Sequence, residues 1–186
     1  DAQERLAIRP YPVELEEVIT LKDGSEILLR PILPEDEPLH AEFIRNVTKE
    51  DLYKRFFTDV GEFNHEALAN LTQIDYDREM AFVAMHDKKL AGVVRSWIDP
   101  DSITAEFSVL IGEGFAGQQL GFILMQKMID YLAHNRSVLQ LVGSVLPNNN
   151  PMLKLARRLG FLEKENSKEG IVEIVLDLNP AKHSWQ

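Results

Sequence analysis

The residues with the clearest chemical use lie between positions 108 and 135. The apolar run SVLI leads through Gly112, Gly114, Gly117 and Gly121 into a helical pattern. Glycines let a chain turn tightly and bring its backbone close to a ligand, and the first N–H groups of the helix that follows have no intrahelical acceptor. Such a strand-to-helix turn holds anions, phosphate groups above all. Leu120, Leu124, Met128 and Leu132 recur every four positions, with Gly121, Met125 and Ile129 alongside, so the helix carries one broad apolar stripe for a sheet. Glu106 stands on the strand just ahead of the glycines, between apolar neighbours in AEFSVLI. By pattern alone it is a solvent-facing glutamate on a half-buried strand at least as readily as a proton carrier.

The elements that must position this stretch can be read along the chain. Apolar runs at 18–21 and 27–29 flank Asp23-Gly24, a hairpin signal. Pro34 opens PEDEPLHAEFIRNV, whose acidic residues crowd the first turn of a helix. Thr48 with Asp51 forms a capping-box variant before TKEDLYKRFF, and Asn64 can cap NHEALANLTQI. Strands are expected at 80–85 and 90–97, around the turn 86–89, and at 104–111 after Asp99-Pro100-Asp101. Beyond the glycine-led helix, 138–145 reads as an apolar strand. Asn150 is expected to cap a helix beginning at Pro151, with Arg157 and Arg158 at its negative end and Gly160 just past it. Two closing strands, 161–162 and 171–178, flank the polar ENSKEG.

Composition narrows the function. A chain of 186 residues makes one domain, which buries roughly 70% of its unfolded surface. With 45% hydrophobic and 27% charged residues it reads as soluble and globular, with no apolar run long enough to span a bilayer. Acidic residues outnumber basic ones by 30 to 20, a formal charge of −10, which argues against a nucleic-acid face and favours cationic substrates. The absence of cysteine removes disulfides, thiolate metal sites and a cysteine acyl intermediate. The five histidines are scattered without metal-ligand spacing and read as surface or capping residues, so no metal is expected. The chain starts at Asp1 with no signal-peptide pattern, and residues 1–16, with Arg9-Pro10-Tyr11-Pro12, read as an extended linker from a preceding domain.

Residues 116–121, Ala116, Gly117, Gln118, Gln119, Leu120 and Gly121, resemble motif A of the GNAT superfamily of N-acetyltransferases, Gln/Arg-x-x-Gly-x-Gly/Ala. Ala116 replaces the polar first residue and Gln119 the middle glycine. Residues 19–178 are similar to the acetyltransferase domain of bacterial Pat-type protein lysine acetyltransferases, through LAIRPYP, ITLKDGSEILLRP, TKEDLYKRFF, LTQIDYDREMAFVA, AEFSVLI, PNNNPMLKLARRLGF and GIVEIVLDL. The resemblance implies an α/β (α+β) GNAT fold over 17–180, a mixed, mostly antiparallel sheet flanked by helices, with 181–186 as a tail. It also implies acetyl-CoA as co-substrate, a protein lysine as acceptor, targets that include acyl-CoA synthetases, a cytoplasmic setting and membership of a larger chain.

A lysine amine is neutral in only about one molecule in a thousand near pH 7.4, which costs roughly 4 kcal/mol and calls for a base. In Pat-type enzymes the glutamate of the AEF string is that base, so the resemblance assigns the role to Glu106. It likewise assigns the pantetheine arm to backbone N–H groups at Val109, Leu110 and Ile111, and the pyrophosphate to residues 116–121 together with Phe122. Asn149 matches an asparagine near the pantetheine arm, although an Asn-rich turn before a helix explains PNNNP equally well. Where many GNAT enzymes carry a tyrosine acid, this chain has Ala156. Gln119 either blocks the cradle, leaving a regulatory or docking module, or turns outward and leaves an active enzyme. Small amines are acceptors within the same chemistry.

Overall fold

The computed structural model describes residues 10–46, 70–101, 103–115, 117, 119–136, 138–164 and 170–178. Eight strands form one sheet: β1 (Glu17–Thr20), β2 (Glu26–Pro31), β3 (Glu79–His86), β4 (Lys89–Ile98), β5 (Thr104–Ile111), β6 (Gln140–Val145), β7 (Leu162–Glu163) and β8 (Val172–Asp177). Their spatial order is β1-β2-β3-β4-β5-β6-β8-β7. Every pairing is antiparallel except β5 with β6, so the sheet is the mixed, mostly antiparallel one that was expected. Helix α1 (Glu37–Asn46) lies on one face, and α2 (Leu120–Asn135) and α3 (Asn150–Leu159) lie on the other.

Local chemistry explains the turns. Gly24 takes φ 88° between β1 and β2, and the Asp23 carboxylate accepts from Ser25 N–H at 2.9 Å. Asp87 and Lys88 both adopt positive φ, the two-residue geometry that suits the twist of a hairpin. The apolar stripe of α2 is fully buried: Leu120, Leu124, Met125, Met128 and Leu132 pack with Phe82, Ala84 and Val94 in one core cluster. Each such side chain contributes about 1.5–3 kcal/mol by leaving water. On the opposite face Phe43 and Ile44 of α1 cover Ile32, Ala81, Val83 and Val93.

Three expectations change. Asn149, not Asn150, caps α3: its side-chain oxygen accepts from Met152 N–H at 3.4 Å, and the helix already begins at Asn150. Pro151 has no N–H to offer, so Met152 is the donor within reach. Strand β6 begins at Gln140 because Val138 N–H still closes α2 on Leu132 O at 3.2 Å. Asp36, expected to serve the dipole of the following helix, is buried instead. It forms two 2.7 Å bonds with the Arg30 guanidinium and accepts from Leu33 N–H at 2.8 Å. The helical segments expected near 48–57 and 64–74 fall largely outside the described residues, of which 70–72 are helical.

His40 also departs from the surface role expected of the histidines. It shares the buried stripe of α1 with Phe43 and Ile44, and its Nε2 lies 3.1 Å from Nη2 of the buried Arg95. Guanidinium only donates, so His40 Nε2 must accept, which fixes the ring as neutral. Burial, reinforced by Arg95 and Arg30 against the opposing pull of Asp36, pushes its pKa down to about 3. An unfolded histidine takes up a proton near pH 6.5, which this ring resists until about pH 3. Stability should therefore fall as pH drops through that window, by up to about 1.4 kcal/mol per pH unit from this group. Urea unfolding of wild type and His40→Leu between pH 5 and 7 checks it. The variant should show the shallower pH slope, and equal slopes would contradict the assignment.

Candidate functional site

Strands β5 and β6 are paired over three positions, Thr104↔Gln140, Ala105↔Leu141 and Glu106↔Val142, although β5 runs on to Ile111 and β6 to Val145. Beyond Glu106 they part, and a cleft of about 830 Å³ opens between them. At this point the next residues of the two strands meet closely. Phe107 is buried with its ring against Phe161, centroids 5.3 Å apart, and Gly143 has no side chain to meet it. A Cβ on Gly143 would lie 2.5 Å from Phe107 Cε1 and 2.8 Å from Cζ. The ring thus fills the space that Gly143 leaves at the root of the cleft.

Backbone alternation determines which amides face the gap. Gly112 N–H bonds Ala91 O and Asp99 N–H bonds Thr104 O, each at 2.8 Å, which places even-numbered residues of β5 in hydrogen bonding with β4. The N–H groups of Val109 and Ile111 therefore point into the cleft. Leu110, expected with them, also lines the cleft, but adjacent residues of a strand turn their amides to opposite edges, so its N–H serves β4. Glu106 occupies the last paired position. Its side chain is exposed and lines the cleft, opposite Trp97 on β4 and Val142 on β6.

At the other end of the cleft stands the glycine-rich turn. Gly117 has φ 81°, and Gln119, the residue ahead of α2, is left-handed with φ 66° and ψ 13°. The Gln119 carbonyl accepts the Ile123 N–H at 3.1 Å, so the N–H groups of Leu120, Gly121 and Phe122 belong to the open first turn of α2. The Leu120 side chain is buried in the core, so only its backbone is available to a ligand. Gly121 lines the cleft where an added Cβ would sit 3.3 Å from Leu155 Cδ2. The Phe122 ring is covered by the Arg158 guanidinium, 4.3 Å from its centroid. Ala116 and Gln118 lie outside the described residues. Asn149 lines the cleft while capping α3, so its two readings are compatible.

The backbone of Gln119 follows the path a glycine would take, at a cost of about 1 kcal/mol for a residue with a Cβ. Gln119→Gly should therefore raise stability by no more than about 0.5 kcal/mol once the entropy of the added glycine is set against the relieved strain. Thermal unfolding tests this, and a lower melting temperature would contradict it.

Sequence reading missed the far wall of the cleft, where Ser144, Lys164 and Glu173 gather. It also missed a buried polar strip, His40, Arg95 and Ser108, on the α1 face of the sheet, with Ser108 directly across from Arg95. These groupings depend on strand register, whereas the period-two alternation of β5 alone places Glu106 and Ser108 on one face. The site as a whole brings open helix amides that suit an anion, two outward strand amides and the Glu106 carboxylate to one cleft. Among the described residues no group of three acidic or imidazole side chains is arranged to hold a metal, and no helix is long and apolar enough to cross a membrane.

Comparison with known proteins agrees with this geometry. Residues 46–161 match the model of the Acetyltransferase (GNAT) family. Acetyltransferase PA5475 of Pseudomonas aeruginosa is 30% identical over 149 residues, covering 78% of this chain and 80% of that protein. Acetyltransferase Pat of Mycolicibacterium smegmatis is 29% identical over 185 residues, 96% of this chain, which spans 53% of the length of that relative. Among solved structures, the GNAT domain of S. lividans PAT superposes with a TM-score of 0.84 at 23% identity, covering 90% of this chain and 99% of that domain. The sheet that parts beside a glycine-led helix and the match over more than half the sequence lead to one conclusion: the chain belongs to the GNAT family of acetyltransferases.

Proposed function

We propose that this domain transfers an acetyl group from acetyl-CoA to the ε-amine of a protein lysine, by direct attack within a ternary complex, with Glu106 as the base. The observation that carries the reading is the parting of β5 from β6 immediately after Glu106, which brings a carboxylate and the outward amides of Val109 and Ile111 to one cleft. The pyrophosphate of the donor fits the open turn of α2, and the pantetheine arm fits the slot between the strands. The amine nitrogen attacks the thioester carbonyl, whose developing oxyanion a strand amide stabilises. The C–N bond forms, the C–S bond breaks, and the amine proton passes to Glu106 directly or through a water.

Ala156, buried in α3 where many relatives of the fold carry a tyrosine, gives no acid to the leaving group. None is required, because a thiol with a pKa near 8.5 leaves readily as thiolate. The absence of cysteine from the sequence excludes a cysteine acyl-enzyme route. The glycine-like backbone of Gln119 keeps the cradle's path, which favours an active enzyme over a regulatory module. Acyl-CoA synthetases are a target class that the likeness to Pat supports.

The test is release of free CoA thiol from acetyl-CoA with Nα-acetyl-lysine methylamide or with spermidine as acceptor. Faster turnover of the lysine derivative is expected. A tenfold preference for spermidine would move the acceptor to small amines, and no thiol release with either would overturn the reading.

A further inference from the structure

The far wall of the cleft carries a cation and a carboxylate that the reaction above does not use. Lys164 Nζ lies 4.0 Å from Glu173 Oε2, and the two residues are locked side by side by the bond from Lys164 N–H to Glu173 O at 2.9 Å. Strand register places this pair relative to the base. Glu106 stands beside Val142 on β6, and Ser144, two residues further along the same strand, stands beside Glu173 on β8. Residues two apart share a face, and register partners share it as well. Glu106, Val142, Ser144 and Glu173 therefore project from one side of the sheet, and Glu106, Ser144, Lys164 and Glu173 all line one cleft.

We propose that Glu173 is the seat for the side-chain ammonium of the incoming acceptor, and that Lys164 occupies this seat in the resting domain as an internal stand-in. The inference rests on the reading of the cleft as a lysine acetyltransferase site and names a residue that selects its acceptor. A lysine amine already stands 4.0 Å from a cleft-lining carboxylate, so there is room for a primary ammonium beside Glu173. Both partners are partly exposed, with 48% of the Lys164 and 33% of the Glu173 side chain accessible, so the ion pair is weak and readily exchanged. An acceptor lysine that displaces Lys164 replaces one ammonium by another at little electrostatic cost, and reaches Glu106 only after moving on along the cleft that both carboxylates line. Neutral amines of similar shape gain nothing from Glu173, so the carboxylate selects for cations.

The test is steady-state kinetics with acetyl-CoA and Nα-acetyl-lysine methylamide. Lys164→Ala should lower the acceptor KM about two- to fivefold, the range open to an exposed ion pair, whereas Lys164→Arg, which keeps the cation, should leave it at the wild-type value. Glu173→Gln should raise the acceptor KM about three- to tenfold, with the effect on KM exceeding that on kcat and with the KM for acetyl-CoA unmoved. In the Lys164→Ala, Glu173→Gln double variant the gain from Lys164→Ala should vanish, because the ion pair it releases is already gone in Glu173→Gln. Acceptor KM values within 1.5-fold of wild type in both single variants, or equal shifts in the KM of acceptor and acetyl-CoA, would overturn the assignment while leaving lysine acetylation standing. A wild-type domain that acetylates no amine would overturn both.

Discussion

Replacing Glu106 by glutamine should lower turnover at pH 7.5 by about 10²–10⁴-fold, the usual worth of a positioned base, while acetyl-CoA binds as before. The amide has nearly the shape of the carboxylate and cannot take a proton. Because the Glu106 side chain is exposed at the rim of the cleft, the substitution opens no cavity, and stability should stay within about 0.5 kcal/mol. The outward amides of Val109 and Ile111 and the open turn of α2 belong to the backbone, so the proposed donor site is untouched. The defect should shrink as pH rises toward the lysine pKa of about 10.4, where the amine loses its proton without help. A variant within threefold of wild type at pH 7.5 would remove Glu106 from the chemistry.

The second large effect concerns the root of the cleft. Gly143→Ala should destabilise the domain by about 1–3 kcal/mol, the cost of overpacking a filled site. Its Cβ would enter the Phe107 ring, 2.5 Å from Cε1, and Phe161, packed against that ring with centroids 5.3 Å apart, restricts its movement. At about 2–4 °C per kcal/mol for a domain of this size, the melting temperature should fall by roughly 2–12 °C. Affinity for acetyl-CoA should fall with it, since a displaced Phe107 ring would shift the point where β5 and β6 part. Adding Phe107→Leu should recover part of both losses. Unchanged melting and unchanged acetyl-CoA binding in Gly143→Ala would show that the ring does not wedge the strands.

Much of this architecture was legible because it is written in local pattern. The glycine run ahead of an apolar stripe identified α2 and its open first turn, and the Asp23-Gly24 turn identified the first hairpin. Apolar runs broken by turn residues located β3, β4 and β5 within one or two positions. What escaped depends on elements far apart in sequence. The pairing of β5 with β6 stops after three residues, where Phe107 meets Gly143, which no periodicity announces. Burial of His40 against Arg95 joins α1 to β4 across 55 positions. Val109 and Ile111 separate from Leu110 only once β4 is known to lie on one edge of β5. Lys164 and Glu173 look like ordinary surface charges until β6, β7 and β8 bring them to the wall of the cleft.

The most direct test of the central claim, that the parted strands and the first turn of α2 hold acetyl-CoA, is thermal unfolding with and without that ligand, with dephosphorylated acetyl-CoA as a control for charge. At a hundredfold excess over Kd, binding adds about 2.7 kcal/mol of stability, and at about 2–4 °C per kcal/mol the shift should be on the order of 5–10 °C. A saturable rise of that size is the predicted result. No shift at millimolar acetyl-CoA would contradict the claim.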